Sequence, residues 1–502
     1  MRKGLLLTSP FILLSACMVG PDYEKPGTQD VPCEWANATE KNNENIQDEI
    51  QWWKNFNDPI LTDLVTETIK SNYDLKVAFS KICQARATLL GAEASIAPEI
   101  DGIGSFSHNE SSLNTSRIPT AQDVSAIGPT SGGIGTNRYF NLYRLGLDTA
   151  WEIDLWGRIR RNIESANASL EAQVEDMHGT MLSLIAEVAT TYINLRSYQK
   201  QYEIQTKAFK AWDDTYKLNQ NLYDAGLATQ IDVMEAKTTR DQTEAALYPL
   251  KESIKAAMHQ LAVLVGKPPA ALYCLLSDPK PIPKMPDEIF AGLPSELLKR
   301  RPDIRAAERN IEAYNAQIGV AMGSLFPVVT FTGTIGYQSN RSSNLMTPAS
   351  GFYSFGPGFT WDIIDFGRVR SMIDASIAVK NQYYFQYKST VLSAFADVEN
   401  SLVNYAEEAN HHYWLKSAFD ASKTAYDVSM LRYESGLIPF IVVLQTEYAY
   451  QQNALSLAQS EATLSLNAVA LYKALGGGWQ IDKTCWLNDP FTFHNAVKSV
   501  FD

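Results

Sequence analysis

One segment of this chain occurs twice at a fixed distance, and that duplication limits the fold more than any other feature. Residues 151–160 have the sequence WEIDLWGRIR, and residues 361–370 repeat it as WDIIDFGRVR, 210 positions later. A second pair, LYDAGL ending at Leu227 and RYESGL ending at Leu437, keeps the same spacing of 210 residues. Solenoid and propeller units are much shorter, roughly 20–50 residues. We therefore expect one domain built from two copies of a large unit.

The first residues have the pattern of an export signal. Arg2 and Lys3 precede an apolar stretch at residues 5–14, which is too short to span a bilayer. The tetrapeptide LSAC that follows ends at Cys17 and is similar to a bacterial lipobox, in which the cysteine is acylated. The alternative is cleavage elsewhere with an incidental Cys17. Met18, rather than Asp, follows the cysteine, which by the lipoprotein sorting rule predicts an anchor in outer-membrane lipid.

Composition and motifs argue against two classes of protein. A net charge of −13 disfavours a nucleic-acid binder, because phosphate recognition needs clustered Lys and Arg. The sequence contains no P-loop, dinucleotide fingerprint, zincin motif or nucleophile elbow. His411 and His412 are adjacent and would point to different faces of a helix. We expect no enzyme activity, catalytic residue, metal or cofactor.

The pattern divides the chain into a signal peptide at 1–16, a polar acylated tether at 17–50, a first repeat at 51–275, a second repeat at 276–480 and a C-terminal tail at 481–502. In the first repeat we predict strands at about 99–108 and 138–152 and helices at about 157–225 and 230–265. In the second we predict strands at about 328–339 and 352–362 and helices at about 367–435 and 440–475. An enlarged loop is expected at 107–137, which is rich in Ser and Gly. Each unit is thus helix, β-hairpin, long helix, tight turn and returning helix.

The predicted strands alternate apolar and polar residues, with many aromatic residues on the apolar face. Soluble hairpins packed on a core would fit this pattern locally. The strand length, the aromatic face and the lipid anchor favour a sheet in a membrane. Four strands would leave unpaired edges in lipid, so the chain must oligomerise to close a barrel.

The longest helical patterns run without proline through residues 158–224 and 368–434. Apolar residues spaced by threes and fours predict coiled-coil-like helices of about 100 Å each. Each pattern ends in Tyr-x-x-Gly-Leu, where Gly226 and Gly436 suit the positive φ of a helix end. Gly157 and Gly367 lie where a strand passes into a helix, and a residue without Cβ suits that bend.

The chain resembles the outer-membrane factors of tripartite efflux systems in three features taken together. These are CMVGPDY from Cys17 onward, the two Trp…Gly-Arg elements and the two Tyr-x-x-Gly-Leu turns. The outer-membrane factors are the TolC-like proteins, and the likeness is greatest to the lipoprotein branch of OprM and NodT. The resemblance spans essentially the whole mature chain. It implies a mainly α fold with a transmembrane β part: a homotrimer whose twelve-stranded β-barrel in the outer membrane continues into a periplasmic α-helical barrel.

The implied function is a passive exit duct in the outer membrane of a Gram-negative bacterium, for drugs or other small toxic compounds. The implied partners are a periplasmic adaptor (membrane fusion) protein and an inner-membrane pump of the resistance-nodulation-division type. Two other functions remain open. One is a TolC-like exit duct for type I protein secretion, and the other is a periplasmic coiled-coil lipoprotein without a barrel.

Two sets of candidate residues follow. The strand-to-helix junctions comprise Trp151, Gly157, Arg158, Trp361, Gly367 and Arg368. The periplasmic aperture and adaptor-docking set comprises Asp224, Gly226, Leu227, Asp427, Glu434, Gly436 and Leu437. Ordinary surface charge at a helix start or on a solvated helix explains the arginines and acids equally well. Cys274 and Cys485 lie 211 residues apart and form a candidate disulfide, although free buried thiols are equally compatible.

Overall fold

The structure, a computed structural model, describes residues 18–27, 32, 35–36, 50–110, 139–284 and 294–480. The chain divides into two compact units. Unit 1 consists of Met1–Glu24, Arg86–Ala168 and Glu312–Gln382, and unit 2 of Lys25–Ala85, Ser169–Ile311 and Tyr383–Asp502. Each unit therefore contains residues from both copies of the repeat. Cys17, Cys485 and most of the predicted 107–137 loop lie outside the described residues, so the acylation and disulfide hypotheses stay predictions.

Unit 1 is built around one antiparallel sheet with the strand order β1-β2-β3-β4. The strands are β1 (Glu99–Glu110), β2 (Tyr139–Ile153), β3 (Val328–Ser339) and β4 (Gly351–Thr360). Strands β1 and β2 form the hairpin of the first repeat, β3 and β4 form that of the second, and β2 pairs with β3 to join them. The two hairpins are therefore consecutive parts of one sheet.

The two faces of this sheet differ in polarity because side chains alternate along each strand. On one face Leu147 lies opposite Ile335, and Ile335 lies opposite Tyr353; all three are exposed in the single chain. On the other face the Arg144 guanidinium donates hydrogen bonds to Asp148 at 3.0 Å and to the Thr334 hydroxyl at 2.9 Å. One face is thus apolar and open, and the other is polar and internally hydrogen-bonded.

The helices follow the predicted order of helix, hairpin, long helix, turn and returning helix in each half. They are α1 (Pro59–Ser71), α2 (Tyr73–Ala94), α3 (Arg158–Asp224), α4 (Gln230–Ala245), α5 (Leu247–Leu264), α6 (Tyr273–Leu276), α7 (Pro294–Arg300), α8 (Pro302–Gly323), α9 (Arg368–Glu434) and α10 (Phe440–Ala474). The long helices α3 and α9 each contain 67 residues. The fold class predicted from the duplication is confirmed.

The core of unit 2 joins the start of the first repeat to the end of the second. The Trp52 indole stacks on Tyr472 at 5.4 Å between ring centroids and donates to the carbonyl of Gly477. Asp58 caps α1 by accepting from the backbone N–H of Ile60, and its other oxygen accepts from the Tyr192 hydroxyl at 2.7 Å. Burial raises the pKa of Tyr192, so this hydroxyl stays protonated as a donor.

The returning helix of the first repeat is broken, whereas the sequence predicted one helix at about 230–265. Helix α4 ends at Ala245, Ala246 has φ −67° and ψ −15°, and α5 begins at Leu247. Pro249, in the first turn of α5, lacks the N–H that a continuous helix would direct at the carbonyl of Ala245. The second repeat has no proline after Pro439 in this region, and α10 is continuous.

In the part of the chain that the structure describes, no helix combines the length and the apolar character needed to cross a membrane. Cys274 is exposed.

Candidate functional site

The two long helices end in turns of the same construction. In the first tip (residues 224–228) the N–H of Leu227 donates to the carbonyl of Leu222 at 2.8 Å, and the N–H of Gly226 to that of Tyr223 at 2.9 Å. The second tip (residues 434–438) repeats this pair of bonds, at 2.9 Å from Leu437 and 2.8 Å from Gly436. This is the Schellman arrangement, which needs a left-handed residue after the helix. Gly226 and Gly436 supply it with φ of +75° and +70°.

The tips present both acidic and apolar side chains to solvent. Asp224 and Glu434 are the last residues of α3 and α9, and Asp427 lies two turns before the second tip; all three are exposed. The side chains of Leu227 and Leu437 are 76% and 72% exposed. A single exposed apolar residue is common on a protein surface, so these leucines indicate a contact site only as part of a larger apolar patch.

The first tip continues into an apolar strip that the candidate set omitted. Ile231 and Met234 on α4 are exposed and follow Leu227 at spacings of four and three residues. Ile231 and Met234, three residues apart, lie on one side of α4, and Leu227 lies in the turn before this helix begins at Gln230. The sequence carries a signal for this strip, because Ile231 and Met234 are apolar residues spaced by three in a helical pattern.

The two returning helices begin differently although the turns match. Helix α4 has a capping box: the Thr229 hydroxyl accepts from the N–H of Asp232, and the Asp232 carboxylate accepts from the N–H of Thr229 at 2.8 Å. The hydrogen bonds that the backbone N–H and the hydroxyl of Thr229 donate to the Asp232 carboxylate lower the pKa of Asp232. Helix α10 has Pro439 as its cap residue, which makes no side-chain cap bond.

The long and returning helices of each copy form a helical hairpin: α3 with α4 and α5 is the first hairpin, and α9 with α10 is the second. The two helical hairpins are held together by different chemistry. In the second hairpin Tyr433 packs on Phe440 at 4.8 Å between centroids, and Tyr426 stacks on Tyr450 at 5.7 Å. In the first hairpin, the Arg240 guanidinium of α4 lies over the Tyr216 ring of α3 and is 3.8 Å from the Asp213 carboxylate of α3. The first hairpin therefore relies on ionic and cation–π contacts, and the second on aromatic packing.

At the junctions, both tryptophans of the repeated motif have a structural role. The Trp151 indole donates to the carbonyl of Ile96 at 2.7 Å, and the Trp361 indole donates to that of Leu325 at 3.0 Å. Each carbonyl lies just beyond the helix that leads into the hairpin, α2 or α8. Each tryptophan thus ties the return strand of a hairpin to the helix that precedes it.

The Gly-Arg pairs that follow complete the bend from strand to helix. Gly157 and Gly367 have φ of +81° and +88°. Arg158 bonds to Glu152 through two nitrogens, and Arg368 bonds to Asp362, the position equivalent to Glu152. The structure therefore brings together the junction residues of each copy in one local arrangement.

The two junctions differ at the residue before the glycine. Trp156 stacks on Phe326 at 4.8 Å and donates to the carbonyl of Pro327 at 2.9 Å. Its equivalent, Phe366, has φ of +50° and is 97% exposed. Asp365 caps α9 by accepting from the N–H of Val369 and of Gly367, and these bonds lower its pKa.

The first junction also holds the segment that follows Cys17. The Val19 N–H donates to the carbonyl of Trp156 at 3.0 Å. Arg161, whose side chain is 1% exposed, donates to the carbonyls of Val19 and Gly20 and pairs with Asp22 at 2.7 Å. This contact could not be predicted from the sequence, because residues 18–22 lack any periodic pattern.

Comparison with known proteins assigns this arrangement to a family. A family model described as outer membrane efflux protein matches residues 64–267 and 293–477. This chain belongs to that family. The resemblance inferred from the motifs is thereby confirmed, and the protein is an outer-membrane efflux channel.

Individual relatives match over nearly the whole efflux channel. The pyoverdine export outer membrane protein OpmQ of Pseudomonas aeruginosa is 30% identical over 484 residues, which are 96% of this chain and 98% of OpmQ. The solvent efflux pump outer membrane protein SrpC of Pseudomonas putida is 28% identical over 481 residues, 94% of this chain and 97% of SrpC. The solved structure of the outer-membrane channel OprN is 32% identical with a TM-score of 0.81, covering 92% of this chain and 100% of that one.

Proposed function

We propose that three copies of this efflux channel form the exit duct of a tripartite pump, and that their sheets join into one closed sheet of twelve strands. The observation that carries the proposal is the strand order: β1 and β4 are the edges of a four-stranded sheet, and among the described strands neither has a partner on its outer side. Unpaired backbone N–H and C=O groups are costly in lipid. Pairing with strands of further copies would remove this cost. Three is the number of copies that the resemblance to TolC-like proteins implies.

The exposure of the long helices supports assembly from several copies. Helix α3 buries many of its apolar residues, whereas α9 leaves large ones in solvent. The exposed set on the part of α9 in unit 2 is Phe385, Leu392, Val403, Tyr413, Trp414, Val428 and Leu431. Large apolar side chains left in solvent along one helix are typical of an interface, and in the proposed trimer neighbouring copies cover them.

The cargo in this proposal is small compounds, and the duct itself performs no chemistry. The names of OpmQ and SrpC, which refer to pyoverdine and solvents, support small-molecule cargo. The tips are the periplasmic gate and the docking site of an adaptor protein, which links the duct to an inner-membrane pump of the resistance-nodulation-division type. The exposed Leu227 and Leu437 and the acids beside them support this role, because adaptor contact would cover both kinds of side chain.

The anchor in this proposal is an acylated Cys17. Its support is the bound segment at the first junction, where Met18 lies against Gly157: a Cβ on Gly157 would come within 2.6 Å of the Met18 side chain. The residue that directly follows Cys17 in the sequence is thus held at the junction after β2.

Deleting the gene in its own host and restoring it on a plasmid tests the export function. We expect the deletion strain to accumulate small dyes and solvents, and the restored strain to expel them and to contain an SDS-resistant trimer that dissociates on heating. A deletion strain that exports small compounds normally but fails to secrete one protein would favour type I secretion. A monomeric, SDS-sensitive product would favour the coiled-coil lipoprotein.

A further inference from the structure

The second helical hairpin, formed by α9 and α10, carries a buried carboxyl group close to its tip. Glu447 lies near the start of α10 and is 7% exposed. Its Oε1 accepts a hydrogen bond from Nε2 of Gln451 at 3.2 Å, and Oε1 of Gln451 accepts from the Trp212 indole of α3 at 3.2 Å. The carboxyl is therefore connected to α3 through one neutral amide.

The groups around Glu447 would not neutralise the negative charge of its carboxylate if it ionised. On α9, the Tyr426 hydroxyl interacts electrostatically with Glu447 and also with Asp427 and Tyr450. On α3, the Lys207 ammonium acts on Tyr450 and is itself paired with Glu203. Among the described residues, no ion pair includes Glu447. Burial raises the pKa of Glu447, and the hydrogen bond from Gln451 offsets only part of that rise.

The first copy has no equivalent of this group. The position 210 residues earlier is Lys237, which is exposed. The neighbouring core position is shared, because Val443 and its equivalent Val233 are both buried. At this position, therefore, only the second hairpin carries a buried carboxyl.

We propose that Glu447 makes the packing of the second hairpin depend on protons, so that the hairpin is held while the carboxyl is neutral and loosens when it ionises. A neutral carboxyl with a hydrogen bond is tolerated in a protein interior, whereas an ionised one without a partner is strongly disfavoured. Loosening exposes Glu447 to water and removes that penalty. The inference rests on the proposed role of the tips as a gate, and it identifies the proton as a regulator of that gate.

The direction of the pH dependence follows from the raised pKa. In a loosened hairpin Glu447 regains its ordinary pKa of 4.5. The contribution of the neutral carboxyl to packing is therefore complete below that value and is lost as the pH rises from there to the higher pKa of the packed state. Opening of the second hairpin increases with pH over this interval, by at most about tenfold per pH unit for each carboxyl.

Hydrogen exchange on the purified full-length protein in detergent tests this from about pH 4.5 to about pH 7.5, after correction for intrinsic exchange rates. In the wild type, we expect the opening constant of peptides from residues 440–451 to rise with pH, while residues 230–241 show no such rise. Glu447→Gln keeps the shape and an acceptor for Gln451, and should abolish the rise. Asp420→Asn, which removes an exposed acid on α9, should leave it unchanged.

Gln451→Leu provides a second variant, because it removes the hydrogen bond that lowers the pKa of packed Glu447 and should extend the rise to higher pH without changing where it begins. If Glu447→Gln does not assemble, infrared difference spectra of an Asp176→Asn protein, which lacks the other carboxyl whose pKa burial raises, should still show a carboxylic acid that titrates above pH 4.5. A full pH response in Glu447→Gln, or no response in the wild type, would overturn the inference. Exchange requires no transport, so this outcome is independent of the export test of the proposed function.

Discussion

Gly157 and Gly367 adopt the same backbone conformation in different surroundings. Both have a positive φ at the bend from strand to helix. A Cβ on Gly157 would lie 2.6 Å from the Cγ of Met18, whereas a Cβ on Gly367 would have no atom within 4 Å. The backbone requirement is therefore common to both copies, and the steric requirement belongs to the first copy alone.

Alanine substitutions at these two positions should separate the two requirements. Gly367→Ala should cost about 1–2 kcal/mol, the strain of a left-handed conformation for a residue with a Cβ. Gly157→Ala should cost more, because it also displaces Met18. Thermal dissociation of the purified assembly measures the difference, and equal losses in the two variants would show that the Met18 contact adds nothing.

At the scale of elements, similar turns lead into helices with different starts. Helix α4 is fixed by the reciprocal bonds of Thr229 and Asp232, and α10 begins at Pro439 with no side-chain cap. Helix α4 also stops at Ala245, whereas α10 continues to Ala474. The first returning helix is thus firmly capped but short, and the second is uncapped but long.

Thr229→Ala removes the cap of α4. We expect a loss of about 1 kcal/mol, typical of an N-cap, confined to the first turn of this helix. Faster amide exchange at residues 230–233 would report it. Thr238→Ala on the same helix is the control, because the Thr238 hydroxyl bonds only to the carbonyl of Met234 and should leave those amides unchanged.

The apolar strip formed by Leu227, Ile231 and Met234 gives an element-scale prediction for docking. Replacing all three with serine should weaken capture of the adaptor by tenfold or more, on the order expected when central apolar contacts are lost. Pull-down from membranes with the adaptor encoded beside this gene measures it. The control replaces Lys237, an exposed residue of α4 outside the groove that Ile231 and Met234 line, with serine, and equal capture by both variants would remove the strip from the docking surface.

At the scale of the whole molecule, the duplication made the fold accessible from sequence. The period of two in the hairpins and of 3.6 in the helices, each seen twice, identified the unit because two copies agreed. The break at Ala246 was available from the sequence, because Pro249 falls in the interior of the predicted helix at about 230–265, where proline removes a backbone hydrogen bond. Glu447 was missed because a single acid in a helical pattern has the appearance of a surface residue, and only tertiary packing buries it.

A cross-link at the second tip tests the gate in the assembled molecule. Asp427→Cys, joined between neighbouring copies by a cleavable reagent, should stop export, and reduction should restore it. Asp420→Cys on the same helix, lying further from the tip, controls for modification of the surface. Undiminished export through a cross-linked Asp427→Cys assembly would show that this level of the tip need not widen.

The contrast between Trp156 and Phe366 has a consequence for how such a chain can change over generations. In a ring of identical half-length subunits every joint would carry the same residue, and any substitution would alter all joints at once. Here Trp156 at the first junction packs on Phe326 and bonds to Pro327 of its own chain, whereas Phe366 at the second junction exposes its ring to solvent. Because the two halves are fused in one chain, a mutation can change one strand-to-helix junction without changing the other. The packing at the first junction and the exposed surface at the second can therefore evolve separately.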